Sequence, residues 1–343
     1  MGDRVLVFDC HEAWVHQLRL LDRPIDILVG LSGRHTHGWD EGMRPLPPNA
    51  RLLQLEAASK NPEQYACIIG HNLTDLLQAR PFVGPRILML HETLEGIILE
   101  QRSKVQADDL RRSLNMFVGA TQTHVVAVSK LKGKSWGLAN DVVSSCVDSA
   151  DYLPWRGDLT RGLRIANHIS RRPTILLWDF HRQAFGDFPV TLVGHNPDMS
   201  GVRASTNWQE LKEILSLHRF YIHTADPRFE DGYNMAMLEA MAAGLPVLGN
   251  RHPTSPIVHG VSGFLSDDPA QLHSYANKLL RDRELAKRMG TAARQVVEQH
   301  FSTKQFKAGF TRSIEVARRK WILRKNPLTA SGESARFDDR ATQ

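Results

Sequence analysis

The sequence lacks the long hydrophobic run of a membrane-spanning helix, since no stretch approaches the roughly 20 apolar residues that such a helix requires. The first residues, Met1–Phe8, also lack the basic start and long apolar core of a signal peptide, so no export is predicted. Cysteine is scarce as well: Cys10, Cys67 and Cys146 are widely spaced, with no CxxC pair. This pattern favours buried thiols in a reducing cytoplasm over disulfides or metal ligands.

Charged residues are common in the sequence, and the basic ones outnumber the acidic ones. Lys and Arg total 43 against 37 Asp and Glu, which gives a net charge of +6 and favours anionic partners. No nucleic-acid partner is expected, because the basic residues are scattered without an aromatic-interleaved RNA motif. Peripheral contact with the inner face of a membrane stays open. The histidines, among them His11, His16, His35 and His37, show no recognised metal spacing, so no metal site is predicted.

Short apolar runs alternate with segments of helical spacing, and this pattern restarts after a polar stretch at Asp151–Gly162. Such alternation predicts an α/β protein with parallel sheets in two Rossmann-like domains. The predicted domains are residues 1–157 and 158–302, followed by a helix over 303–325, which could cross back to the N-terminal domain, and a flexible tail over 326–343. The predicted strands are Val5–Phe8, Ile25–Leu31, Ala66–Gly70, Ile87–Leu90, Val125–Val128, Leu163–Ala166, Val190–Val193, Phe220–Ile222 and Pro246–Gly249.

The segment from Thr224 to Asn250 carries the strongest functional signal. A strand at Phe220–His223 is followed by a polar loop and then by a helix over Met235–Ala243, which Gly244 ends. Ligands of open α/β sheets bind at the carboxyl ends of the strands, and a helix N-terminus there suits a diphosphate. The sequence therefore predicts an anionic-ligand site at this loop.

Two acids lie eight positions apart in this segment. Asp231 is in the loop, and Glu239 lies on a helix that is otherwise apolar all round. A carboxylate on such a helix is expected to be buried and partnered, and it could accept hydrogen bonds from sugar or ribose hydroxyls. A solvated Glu on an amphipathic helix is the alternative.

The run Phe229–Val247, FEDGYNMAMLEAMAAGLPV, resembles the signature of the retaining glycosyltransferases of family 4. The resemblance implies the GT-B fold, in which two Rossmann-like domains face each other across a cleft, with the nucleotide-sugar donor on the C-terminal side and the acceptor on the N-terminal side. Gly260–Leu265, Val190–Gly194 and Val125–Ser129 resemble further family segments. The C-terminal half is thus covered almost throughout, and the N-terminal half in pieces.

The resemblance also implies roles for individual residues. Glu239 would bind the ribose, and the loop Gly232–Met235 would contact the donor sugar through backbone amides. His91, at the end of a strand, would contact the sugar near the scissile bond, and a structural loop histidine is the alternative. Arginines after the first strand of the second domain would neutralise the diphosphate, unless they are merely solvated. The implied catalytic residues are His91 and Asp231, and the implied donor-binding set is His168, Arg171, Arg172, Gly232, Tyr233, Asn234, Met235 and Glu239.

Several positions depart from the family pattern. Asp231 stands where the family usually has Glu, and His168 stands where it usually has Arg. The early Gly-rich loop is missing, so the acceptor must be bound differently. Cys146 replaces a common Gly, and the loop Arg251–Pro256 lacks the carboxylate often found there. The N-terminal candidates for acceptor binding are His11, Glu12 and Trp14.

The expected function is transfer of a sugar from a nucleotide-sugar donor with retention of configuration, without a metal or a separate cofactor. Arg171, Arg172 and the helix start at Asn234 would stabilise the leaving diphosphate. The acceptor is not readable and could be a glycan, a lipid-linked molecule or a small molecule. Two alternatives stay open: another GT-B enzyme, such as a sugar-nucleotide epimerase or phosphorylase, or a non-catalytic basic module that binds nucleic acid or an anionic membrane.

Overall fold

A computed structural model of the protein describes residues 2–33, 37–60, 62–138 and 141–325. The predicted flexible tail at 326–343 and His35, one of the histidines named above as lacking a metal-binding spacing, lie outside these ranges. Within the described part of the chain, no helix combines the length and the apolar character needed to cross a bilayer.

The first sheet has seven strands, all paired in parallel, in the order β3-β2-β1-β4-β5-β6-β7. The order reverses between β1 and β4, and ligands of doubly wound sheets bind at such a reversal. Its strands are β1 (Val5–Phe8), β2 (Ile25–Val29), β3 (Ala50–Gln54), β4 (Cys67–Gly70), β5 (Arg86–Leu90), β6 (His124–Ala127) and β7 (Asp141–Val142). Its helices are α1 (Glu12–Val15), α2 (Leu55–Lys60), α3 (Leu73–Gln78), α4 (Leu94–Glu100), α5 (Ala107–Thr121) and α6 (Lys130–Trp136), with 3-10 turns at His16–Leu21 and Ser149–Asp151.

The second sheet has five parallel strands in the order β12-β11-β10-β8-β9, with its reversal between β8 and β10. Its strands are β8 (Leu159–Ile165), β9 (Val190–Val193), β10 (His218–Ile222), β11 (Val247–Gly249) and β12 (Gly263–Leu265). Its helices are α7 (Trp178–Phe185), α8 (Trp208–Leu217), α9 (Met235–Ala242), α10 (Pro269–Arg281) and α11 (Arg283–His300), with a 3-10 turn at Ile169–Arg171.

The last helix, α12 (Thr303–Lys325), packs against the first sheet although it follows the second in sequence. Its apolar side chains join the core built on β1, β2 and β4, where they are at most 7% exposed. These side chains are Phe306, Phe310, Ile314 and Ala317. The helix is thereby held against the N-terminal sheet, since the burial of each Phe or Ile side chain contributes roughly 1.5–3 kcal/mol.

The two parallel sheets confirm the predicted α/β architecture, but the sequence pattern missed three strands. β3 is an edge strand whose side chains are half-buried or exposed, so it has no apolar run. β7 has two residues and β12 has three, which is too short to show a period. β8 begins at Leu159, inside the predicted polar stretch and before the predicted strand Leu163–Ala166. The sequence pattern did not show this extension because the first three residues of the strand are exposed and form no apolar run.

Candidate functional site

The loop between β10 and α9 crosses the carboxyl edge of the second sheet. Helix α9 begins at Met235 because the side chain of Asn234 caps it, accepting a hydrogen bond from the backbone N–H of Met237 at 2.9 Å. Beyond the helix, Gly244 has a φ of +86°, a left-handed conformation that glycine adopts without strain. Residues 237–242 of the helix are all buried, and Glu239 is 5% exposed. The carboxylate is therefore held inside the protein and not in solvent.

A glycine is required at position 232 by packing. A Cβ atom there would lie 2.7 Å from the imidazole ring of His252. The Gly232 N–H donates to the hydroxyl of Thr254 at 2.8 Å, and His252 Nε2 lies 3.0 Å from the carbonyl oxygen of Glu230. The segment Arg251–Pro256, which lacks the carboxylate common in the family, thus contacts the loop after β10 through His252 and Thr254.

Lys132 of α6 reaches from the first domain into the acidic loop. Its Nζ lies 2.8 Å from a carboxylate oxygen of Glu230 and 3.4 Å from one of Asp231. Burial opposes the charge of Lys132, but the two carboxylates outweigh burial and raise its pKa. Burial likewise opposes the charge of Glu230, and Lys132 outweighs it, so the pKa of Glu230 is lowered. Lys132 and Glu230 are consequently both held charged at neutral pH.

The Oδ1 atom of Asp231 has no hydrogen-bond partner among the described residues, although the residue is 1% exposed. Buried carboxylate oxygens are normally hydrogen-bonded, because an unpaired one carries its full desolvation cost. This oxygen is thus available to a hydroxyl that enters the cleft.

The three predicted diphosphate-binding residues are placed differently. The side chain of Arg172 points to the cleft, where it lies 3.3 Å from Glu100 and 3.9 Å from Glu230. Arg171 is 65% exposed at its side chain and pairs with Asp198 instead. His168 has a left-handed φ of 53° and packs its ring edge-on against His195 at 5.2 Å. Of the three, the structure brings Arg172 to the acidic loop.

Glu239 forms a buried ion pair with Arg44, a residue of the first domain that no sequence motif singled out. Both side chains are at most 6% exposed. The Arg44 guanidinium also lies 4.7 Å from the centre of the Trp208 ring. Burial raises the pKa of Tyr152, and a hydrogen bond to Glu239 adds to that shift. The predicted ribose-binding carboxylate is therefore engaged across the cleft.

At the edge of the first sheet, His91 follows β5 and pairs with His71, which the sequence analysis did not single out. His91 Nε2 lies 2.8 Å from His71 Nδ1. The ring of Trp14 lies edge-on to both histidines, with centroid distances of 5.2 Å to His71 and 4.8 Å to His91. Cys10, at the end of β1, completes a group whose metal-ligating atoms all lie within 4.8 Å of one another.

The remaining predicted residues lie nearby. Met235 Sδ accepts a hydrogen bond from Gln17 of the first domain at 3.5 Å, and Tyr233 packs edge-on against Phe301 at 5.1 Å. Among the acceptor candidates, His11 is exposed, whereas Glu12 and Trp14 are buried. Glu12 accepts a hydrogen bond from the backbone of Asp40, and Trp14 supports the histidines, so both have clear structural roles.

The carboxyl edges of the two sheets therefore face each other and touch. The Thr93 hydroxyl of the first domain donates to the Phe229 carbonyl of the second at 2.6 Å, beside the bridges made by Lys132 and Arg44. The cleft combines carboxylates, which can bind hydroxyls, with buried cations, which can neutralise phosphate.

Comparison with known proteins finds that part of the chain is similar to a family. Residues 196–296 match the family described as glycosyl transferases group 1. A segment of 80 residues is 35% identical to N-acetyl-alpha-D-glucosaminyl L-malate synthase of Bacillus anthracis, and it spans 22% of this chain and 21% of that protein. The matched portion is thus about a fifth of the length of the curated relative.

Similarity to solved structures extends over almost the whole chain. HepE of Anabaena, solved in complex with UDP and glucose, is 14% identical, with a TM-score of 0.63 over 92% of this chain and 100% of that one. Sucrose-phosphate synthase of Thermosynechococcus elongatus is 12% identical, with the same TM-score of 0.63 over 91% of this chain and 98% of that one. At such identities the likeness concerns the fold, and it confirms the predicted GT-B arrangement of two Rossmann-like domains.

Proposed function

We propose that the protein is a retaining glycosyltransferase of family 4, which transfers a sugar from a nucleotide diphosphate to an acceptor. One observation carries the proposal: the buried carboxylate of Asp231, with Oδ1 unpartnered among the described residues, lies beside Lys132 and the start of α9. A sugar hydroxyl and a diphosphate are the chemical groups that such a combination fits. The match to glycosyl transferases group 1 and the UDP-bound HepE structure support the same reading.

In this proposal the second domain binds the donor. Glu239 accepts hydrogen bonds from the ribose hydroxyls, and the first turn of α9 receives the diphosphate through its backbone N–H groups and helix dipole. Arg172 supplies positive charge from the other side of the loop, where its guanidinium lies near Glu230. Gly232, Tyr233, Asn234 and Met235 form the wall that the sugar contacts, whereas His168 and Arg171 contribute less because their side chains turn elsewhere.

The reaction itself breaks the bond between the anomeric carbon and the phosphate oxygen. The acceptor oxygen forms its new bond to the same face of that carbon, and its proton passes to the leaving phosphate. Negative charge grows on the diphosphate in this step, and Arg172, Lys132 and the α9 N-terminus are positioned to stabilise it. Asp231 and His91 hold the sugar from opposite sides of the cleft. Because these groups supply the positive potential, we propose that neither a metal nor a separate cofactor takes part.

The acceptor enters from the first domain in this proposal, and its class stays open among glycans, lipid-linked molecules and small molecules. The net charge of +6 favours an anionic acceptor or contact with an anionic membrane surface. We propose a cytoplasmic location, which the lack of a disulfide among the three cysteines, all within the described ranges, supports.

Donor binding is tested first, by thermal shift with UDP-, GDP-, ADP- and TDP-sugars. One nucleotide class should raise the melting temperature of the protein in a concentration-dependent way. Glu239→Ala should remove that shift, whereas Glu213→Ala, which changes an exposed residue of α8, should keep it. Unchanged binding by the Glu239 variant would refute the assigned ribose contact.

Transfer is tested next with the donor so identified. Free nucleoside diphosphate should appear in step with glycosylated acceptor, and NMR should show that the product keeps the anomeric configuration of the donor. Inversion would refute the assignment to a retaining family. Release of nucleoside diphosphate without an acceptor, coupled to epimerised sugar, would favour a sugar-nucleotide epimerase. Consumption of inorganic phosphate or a sugar phosphate would favour a phosphorylase.

A further inference from the structure

Three residues of metal-ligating type converge at the carboxyl edge of the first sheet. Cys10 follows β1, His71 follows β4 and His91 follows β5, and these three strands are neighbours in the sheet. The strand order reverses between β1 and β4, so the group lies where open α/β sheets usually bind ligands. All three residues are partly exposed, which gives an ion a route from solvent.

The distances suit a small divalent ion after modest adjustment. His71 Nδ1 and His91 Nε2 lie 2.8 Å apart, and all three ligand atoms lie within 4.8 Å of one another. Tetrahedral Zn²⁺, with bonds of about 2.0–2.3 Å, separates its ligand atoms by about 3.3–3.7 Å. The two rings would therefore part by about half an ångström and the widest pair would close by about one, which side-chain rotations can supply.

The surrounding residues hold this group in place. The Trp14 ring is 2% exposed and lies edge-on to both imidazoles, so it limits their rotation. The His71 backbone N–H donates to a carboxylate oxygen of Asp75 at 2.8 Å, and Asn72 caps the helix that begins beside it. Supporting contacts of this kind orient the ligands of metal sites before the ion arrives.

We propose that Cys10, His71 and His91 bind one Zn²⁺ ion, with the fourth coordination position open to the cleft. A thiolate and two imidazoles are ligands that Zn²⁺ favours, and three protein ligands with one open position form a reactive and not a purely structural zinc set. The three residues lie far apart in sequence, which is why no metal-binding spacing is visible there.

The effect of bound zinc on sugar transfer rests on the proposed function, whereas the metal site itself does not. His91 Nε2 cannot contact the donor sugar while it is bonded to an ion. Zinc therefore acts as a reversible inhibitor of transfer and not as a cofactor. Thiolate–zinc bonds are also pH-dependent, since the ligands must be deprotonated, so acidification weakens the binding.

Binding is tested on the full-length, reduced, metal-stripped protein by titration with Co²⁺. One equivalent should produce thiolate-to-cobalt charge-transfer absorption and the visible bands of four-coordinate cobalt, and Zn²⁺ should abolish both by displacement. Cys10→Ser should remove the charge-transfer band, and His71→Gln should weaken Co²⁺ binding at least tenfold, with circular dichroism confirming that each variant is folded. Cys146→Ala and His300→Ala, which change a cysteine and an exposed histidine that do not belong to the group, should match the wild type.

The outcomes separate this inference from the proposed function. Absence of the charge-transfer band, or its persistence in Cys10→Ser, overturns the site, and binding that changes equally in His300→Ala indicates an adventitious ion only. Inhibition of transfer by Zn²⁺ that a chelator reverses and that Cys10→Ser escapes supports the consequence for His91. A protein that shows the cobalt spectrum but no transferase activity keeps the metal site and loses the proposed function instead.

Discussion

The two facing edges of the cleft draw their residues from the chain in different ways. The edge of the second sheet takes Glu230, Asp231 and Glu239 from one continuous segment between β10 and β11. The edge of the first sheet takes Arg44 and Lys132 from two segments that are distant in sequence. These acids and cations meet across the cleft, so each group provides the opposite charge that the other needs.

The acidic segment therefore lacks, within itself, the cations that its buried carboxylates need. A buried carboxylate needs a partner, because desolvation of an unpaired charge costs several kcal/mol. Here the partners come from the opposite domain, so contact between the two domains is what pairs them. In the proposed function, a donor that enters the cleft must therefore replace or join these contacts.

The largest expected effect comes from removing the cation that the acidic loop needs. Lys132→Met leaves Glu230 and Asp231 facing each other in a buried site, and the free energy of unfolding should fall by about 3–5 kcal/mol. Lys130→Met changes an exposed residue on the same helix and should shift it by less than about 0.5 kcal/mol. Urea denaturation followed by circular dichroism measures both. Equal effects of the two substitutions would show that the bridge is not important for stability.

The loss of stability in acid can be compared between the two domains, because each contains a buried histidine whose pKa is lowered to about 4. These are His16 in the first domain and His223 in the second. Burial is the largest cause in both cases, with Arg19 beside His16 and Arg164 beside His223 adding to it. An unfolded histidine titrates near pH 6.5, so this stability is fully present above pH 6.5 and is lost as the pH falls toward 4. Each histidine accounts for about 3 kcal/mol over that interval.

The test is the pH dependence of the free energy of unfolding between pH 6.5 and 4. His16→Gln and His223→Gln should each reduce the slope of the free energy of unfolding against pH by about 1.4 kcal/mol per pH unit, which corresponds to one proton. The double variant should reduce the slope by twice that amount, which corresponds to two protons. A slope that only one variant changes would assign acid sensitivity to a single domain.

Substitution of two neighbouring arginines, Arg172 and Arg171, should affect transferase activity to different extents. Arg172→Gln removes a guanidinium that faces the acidic loop, and kcat/KM should fall by about 10–100-fold, the usual size for a charged hydrogen bond. Arg171→Gln removes a side chain that is 65% exposed and should change kcat/KM by less than about threefold. Steady-state kinetics with the true donor decides between them. The reverse order would place the diphosphate beside Asp198 instead.

The smallest expected effect concerns the other bridge. Arg44 pairs with Glu239 across the cleft, so in the proposed function a ribose that binds Glu239 must displace Arg44. Arg44→Met removes that competition, and donor affinity measured by calorimetry should rise by up to about tenfold, or about 1.4 kcal/mol. Lys212→Met, which removes the other cation on the Trp208 ring, is the matched control and should leave affinity unchanged. A fall in affinity for the Arg44 variant would mean that Arg44 holds the donor.

Sequence reasoning was most successful where local signals agree. The apolar run around Glu239 predicted a buried carboxylate, and the structure confirms that burial at 5% exposure. The predicted helix start at Asn234 is confirmed by its capping hydrogen bond. Short and edge strands were missed because half-exposed side chains carry no apolar period, as β3 shows. The roles of individual residues in catalysis stay predictions.

What the sequence determined by itself is most of the strands, the helix after the acidic loop and the identity of the acidic segment. Helical and strand periods, the cap at Asn234 and the glycine after α9 are local, because hydrogen bonds and side-chain burial within a few residues decide them. Tertiary structure alone decided which groups face those acids. Lys132, Arg44 and the grouping of Cys10 and His71 with His91 carry no local signal, since parallel sheets bring together the ends of strands that the chain separates widely. The cleft is therefore a product of packing, and its chemistry depends on both edges.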